Sequence, residues 1–135
     1  MKREHNSFRT PLIVEILPSG KKFKLHYDFT YYWKRKGILI RVKAGFITDL
    51  ASIPRLLRLI IPKLGRWNKP AVIHDRLYQD HAVETNIGIS YLFSRAGADL
   101  CFLDGMKDFG VANWERTLMY LAVRWFGFLA WRKGG

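Results

Sequence analysis

Cysteine is almost missing from this chain. Cys101 stands alone among 135 residues, so no intrachain disulfide can form and the sequence suits a reducing compartment. Acid is scarce as well. Eleven Asp and Glu face 23 Lys and Arg, a formal net charge of +12. That balance attracts polyanions (nucleic acid, an anionic membrane surface or an acidic partner) without choosing among them. The four histidines and one cysteine show no CxxC or HExxH spacing, which argues against zinc. No uncharged apolar run reaches the roughly 18–20 residues of a spanning helix; the nearest, residues 118–131, is broken by Arg124. The first residues, MKREHNSFRTPL, carry charge but no apolar core, so no secretory signal is expected. Repeats and low-complexity linkers are also lacking, and the length fits one domain, 1–135.

What is present is apolar and aromatic: 49% hydrophobic residues, with five Trp, six Tyr and nine Phe. Such a chain folds rather than staying disordered. Residues 12–17 (LIVEIL) end at Pro18-Ser19-Gly20, a turn signal. Residues 22–33 (KFKLHYDFTYYW) alternate in their first half, 34–37 (KRKG) form a basic turn, and 38–46 (ILIRVKAGF) alternate again. The expectation is a three-stranded antiparallel β-meander over 1–46.

After Gly45 the period changes. Residues 55–61 (RLLRLII), bracketed by Pro54 and Pro62, predict a short amphipathic helix. Asn68 with Pro70 predicts a helix start, running to about residue 82. Residues 81–90 read as a connection. A helix starting at Ser90 or Ser94 runs to about Asp108, and a last one runs from Asn113 to near Trp131. Strands come first and about three to four helices follow over 47–135, so the class is α+β.

The chemistry concentrates in three places. His74 and Asp75 are neighbours on the predicted 68–82 helix, about 100° apart, so one turn can serve two purposes. Tyr78 lies four residues on, on the face of His74. In the next helix Asp99, Phe102 and Met106 share a face, with Leu103 and Asp104 beside it. If the two helices pack, Asp99 meets the imidazole. The resulting dyad would fix the tautomer and leave the other ring nitrogen as a general base. Asp49 and Asp75 are hard oxygen donors, and a backbone carbonyl just after Asp49 would be a third; oxygen-only ligation suits Ca²⁺ or Mg²⁺. Plainer readings stand beside these. Asp49 caps the short helix, Asp99 is solvated or paired with Arg95, Tyr78 is core, and Arg55 belongs to a salt bridge. The aromatic C-terminal stripe is core or membrane contact.

Two resemblances bear on the choice. GFITDLASIPR (45–55) followed by AVIHDRLY (71–78) resembles a pattern shared by uncharacterised small proteins of tailed phages and prophages. It implies a phage or prophage origin, synthesis in the bacterial host cytoplasm, and association with virion or other phage structural proteins. The helical half, about residues 46–127, is similar to the bacterial and fungal secreted phospholipases A₂. The shared order is Thr48-Asp49-Leu50, then His74-Asp75-Arg76-Leu77-Tyr78, then Asp99 with Phe102 and Asp104-Gly105-Met106, then MYLAVRWFG (119–127). This resemblance implies a phospholipase A₂-like helical core. In it Asp49 and Asp75 give carboxylate oxygens and Leu50 its carbonyl to Ca²⁺, with Mg²⁺ ranked behind. His74 activates water, Asp99 orients His74 and Tyr78 supports the network. The disulfides of the secreted enzymes are missing, and the β portion has no counterpart in them.

Three functions follow. The first is a calcium-dependent ester hydrolase acting on phospholipid at an anionic bilayer surface. The second is a non-catalytic virion, tail or assembly protein that keeps the fold. The third is a nucleic-acid binder, using the basic β half with Tyr31, Tyr32 and Trp33 as a stacking platform.

Overall fold

A computed structural model describes residues 11–49, 68–84 and 90–133. Seven strands and four helices lie within them: β1 (Val14–Ile16), β2 (Phe23–Leu25), β3 (Phe29–Trp33), β4 (Ile38–Val42), β5 (Ile47–Thr48), α1 (Asn68–Asp80), β6 (Ala82–Glu84), β7 (Ser90–Leu92), α2 (Arg95–Asp108), α3 (Asn113–Phe126) and α4 (Phe128–Lys133). Antiparallel strands precede helices, so the class is α+β.

The strands are shared out differently from a simple meander. β2 pairs with both β1 and β5, while β3 and β4 form a separate hairpin. The predicted long strand at 22–33 is cut at His26-Tyr27-Asp28 by contacts with residues distant in sequence. The Leu25 amide bonds to Phe46 O and the His26 amide to Ile13 O, which completes the first sheet there. Asp28 then turns its carboxylate to the Ala44 amide at 2.9 Å. Gly45, at φ 93°, makes the return bend into β5, a conformation open mainly to glycine.

β3 alternates as a half-buried strand should. Phe29, Tyr31 and Trp33 point inward and are essentially inaccessible, as are Ile40 and Val42 on β4. The stacking platform is therefore corrected: two of its three aromatics are core. The inward rings pack against α2, where Tyr31 Oη donates to Asp108 and Trp33 Nε1 to Asp104, each at 2.8 Å.

α1 begins at Asn68, and Pro70 sits in its first turn, where a missing amide costs nothing. It stops at His81, which takes φ 56°. That costly backbone is held by the His81 ring, stacked 3.6 Å from Trp131, with its Nε2 2.8 Å from Trp131 O. The stretch expected as a plain connection contains the β6–β7 hairpin, in which Val83 is buried opposite Tyr91. α2 is capped by Ser94, whose Oγ accepts from the Gly97 amide at 3.0 Å.

The last predicted helix is divided at Gly127, giving α3 and α4. A β-carbon on Gly127 would lie 2.4 Å from Val123 O and 2.6 Å from Tyr78 Oη. The chain comes that close to α1 only because glycine has no side chain there. The predicted helix at 55–61 and Arg55 lie outside the described residues. Among the described residues, no helix is long and apolar enough to cross a membrane.

Candidate functional site

α1 and α2 pack face to face, and this places the chemistry. Helical spacing puts His74, Leu77 and Tyr78 on the inner side of α1, and Ala98, Asp99, Phe102 and Met106 on the inner side of α2. His74 Nε2 lies 2.8 Å from Asp99 Oδ1, and Tyr78 Oη donates to the same oxygen at 2.5 Å. The imidazole sits between two rings, its centroid 4.1 Å from Tyr78 and 4.6 Å from Phe102. Asp99 is fully buried and His74 is 4% exposed. A buried carboxylate needs partners, and Asp99 has more than the sequence suggested. Arg124 of α3 donates to its second oxygen at 2.7 Å, and Arg95 stands 3.7 Å from it.

The electrostatics follow from these contacts. Burial pushes the Asp99 carboxyl up. Hydrogen bonding and charge from His74, then hydrogen bonds from Tyr78 and Arg124, outweigh burial and hold it below the usual carboxylate range. Burial, then the bond to Asp99, drives the Tyr78 phenol far above its ordinary value, so it remains a donor. The bond to Asp99 raises Arg124 further, keeping it charged.

Asp75, one residue on, turns away from the dyad toward β5. Its Oδ2 accepts from the Thr48 hydroxyl and from the Asp49 amide, the latter at 3.2 Å. The Thr48-Asp49 step at the end of β5 is thus fastened to α1 beside His74. Leu50 lies outside the described residues. No group of three or more His, Cys, Asp or Glu side chains converges among the described residues. Asp49 and Asp75 are neighbours across the β5–α1 contact and both offer hard oxygen. In donor chemistry they suit Ca²⁺ or Mg²⁺ better than a soft metal.

Sequence reasoning paired His74, Asp99 and Tyr78, and the structure brings these three together. It missed Arg124, noted only as a charge interrupting an apolar run; a lone cation in such a run is a signal that a buried anion waits opposite. It missed Thr48 as the residue that holds Asp75. It also missed a second polar cluster. Arg35 binds Asp104 through Nε at 2.7 Å and through its second terminal nitrogen at 3.0 Å, joining Trp33 on that carboxylate. Burial raises Asp104, but the bonds from Arg35 and Trp33 prevail and hold it low. Trp33, Lys34, Arg35, Asp104, Lys107 and Asp108 line an open cleft there.

Residues 23–123 match the family described as "Protein of unknown function (DUF1353)". The match covers most of the chain, and the protein belongs to that family. No curated protein and no solved structure matches it.

Proposed function

We propose that the protein is a phage-derived, calcium-dependent ester hydrolase of phospholipase A₂-like chemistry, with His74 as general base. The observation that carries this reading is the buried pairing of His74 Nε2 with Asp99 Oδ1 at 2.8 Å, on the residue next to an Asp75 that turns toward Asp49. Asp99 fixes the ring and its tautomer, so Nδ1 is the nitrogen that takes a proton from water as its oxygen attacks an ester carbonyl. Tyr78 and Arg124 keep Asp99 ionised, which stabilises the imidazolium that forms. Asp49 and Asp75 would hold the cation, with the Leu50 carbonyl as the third donor that the phospholipase resemblance implies. Ca²⁺ there would supply positive charge for the developing oxyanion. The phage or prophage origin rests on the GFITDLASIPR and AVIHDRLY pattern.

One observation favours a second reading, a non-catalytic virion, tail or assembly protein. Two guanidinium groups reach toward Asp99 from α2 and α3, which also makes it a node that locks three helices together. A single experiment separates the two. Fatty-acid release from anionic phospholipid vesicles is measured with Ca²⁺ or chelator, for wild type and His74→Gln. The enzyme reading expects calcium-dependent release that falls by roughly 10²–10⁴-fold in the variant. No release from folded wild type discards the enzyme and leaves the structural protein.

A further inference from the structure

The C-terminal helices carry a second apolar stripe that the core does not use. α3 buries Met119 and Ala122 on one side. Leu118 packs against the core, but Trp114, Leu121, Trp125 and Phe128 do not, and they are spaced seven, four and three residues apart. At 100° per residue they form one line down the helix, turned away from the buried side. Gly127 does not break this line. It keeps right-handed helical angles and bonds its amide to Val123 O, while the Trp131 amide bonds to Gly127 O. Trp114 is 54% exposed, Leu121 36%, Trp125 66% and Phe128 47%. Together they leave on the order of 500 Å² of apolar side chain in water, near the top of the ~300–600 Å² usual for the largest patch on a monomer.

The charge around the stripe identifies its occupant. Glu115 stands at the head of the stripe and Arg124 is committed to Asp99, but from Arg116 to Lys133 the chain carries no acidic residue, and exposed Arg132 continues the line of the stripe. A second copy pressed against this face would find one acidic residue, Glu115, to set against its cations, fewer than the charge pairs that join helices across a seam, and would bring together two chains of net charge +12. An anionic bilayer offers the opposite charge, and tryptophan and phenylalanine are the side chains that settle at its headgroup boundary. We propose that the outward stripe of α3 and α4 is a membrane-docking face, lying in the plane of an anionic lipid surface with Trp114, Trp125 and Phe128 inserted. It supplies the bilayer contact that a phospholipid hydrolase requires, but it does not depend on the chemistry of His74.

The test reads binding without turnover. The full chain, in chelator, is sedimented with phosphatidylcholine vesicles containing or lacking phosphatidylglycerol. Wild type is expected to bind the anionic vesicles. Trp125→Ser combined with Phe128→Ser should weaken binding at least about tenfold, and Trp114→Ser should weaken it from the other end. Tyr27→Ser removes an equally exposed aromatic from the β half and should leave binding unchanged. All these positions are exposed, and an unchanged thermal midpoint verifies the fold of each variant. Failure of wild type to bind, or equal loss on Tyr27→Ser, overturns the proposal. So does a stable dimer in solution that Leu121→Glu splits into monomers, which would assign the face to a second copy. Binding that persists when hydrolysis fails keeps the docking face and discards only the enzyme.

Discussion

Replacing Gly127 by alanine tests how closely the C-terminal helices are fitted to the candidate site. The new methyl would stand 2.6 Å from Tyr78 Oη and 3.1 Å from Tyr78 Cε2, besides 2.4 Å from Val123 O. Ordinary carbon contacts need about 3.5–4 Å, so something must move by the better part of an ångström. Tyr78 is poorly placed to do so. Its hydroxyl is bonded to buried Asp99 at 2.5 Å and its ring meets Trp131 edge-on at 5.2 Å. Overpacking of this kind costs about 1–3 kcal/mol, and losing a hydrogen bond to a charged group costs about 1.5–3 kcal/mol more. A total near 3 kcal/mol is expected, equivalent to a fall in Tm of roughly 10 °C for a chain of this size. Four proteins settle the matter by urea and thermal unfolding: wild type, Gly127→Ala, Tyr78→Phe and the double variant. Tyr78→Phe deletes the side-chain atom nearest the methyl but leaves Cε2 and Val123 O, so Gly127→Ala should cost at least about 1 kcal/mol less in that background. Equal cost in both backgrounds refutes the idea that the tyrosine hydroxyl is what the glycine accommodates.

Asp99 and Asp104 both titrate below the ordinary carboxylate range when folded. The unfolded chain therefore binds protons first as pH falls. Their stabilisation is complete above the unfolded pKa of about 4 and disappears as pH drops through the lower folded values. Thermal midpoints should decline steeply below about pH 4, and Asp104→Asn should flatten part of that slope. Arg124→Met leaves Asp99 with its His74 and Tyr78 bonds but without its closest cation. With the Arg124 side chain 30% exposed, a loss of about 1–2 kcal/mol is expected in urea unfolding, and no loss would show that the pair is idle. Cys101 is 1% exposed and burial pushes its thiol well above the usual range. A thiol reagent should modify it only at the rate of unfolding, and rapid labelling of native protein would contradict its burial.

How much of this was readable beforehand depends on the range over which each feature is determined. His74, Tyr78 and Asp99 could be related because helical periodicity is local and fixes which residues share a face. Ser94 and Asn68 announced their helices for the same reason. The division of the strands was hidden, since it depends on Asp28 reaching Ala44 and on Phe46 O meeting the Leu25 amide. Those contacts exist only once the bend at Gly45 has formed. Tyr31 and Trp33 looked like a surface platform because a strand of aromatics and a basic turn give no sign of which face is covered. The lack of room for a side chain at Gly127 depends in part on a tyrosine of another helix, and the partnership of Arg124 with Asp99 likewise spans elements that only folding brings together.

α2 has a consequence for how the chain can vary in length. Asp99 serves the α1 side through His74 and Tyr78, while Asp104 and Asp108 serve the β3 side through Trp33, Arg35 and Tyr31. Between Asp99 and Asp104 the helix advances about 7.5 Å and turns through a fixed angle. Adding or deleting one residue there would swing one set of carboxylates by about 100° relative to the other, and no adjustment of side chains could satisfy both. The segment from 99 to 108 is a measured distance as well as a set of contacts. Natural insertions and deletions in this family should therefore gather in the turns, such as 34–37 between β3 and β4, and stay out of it.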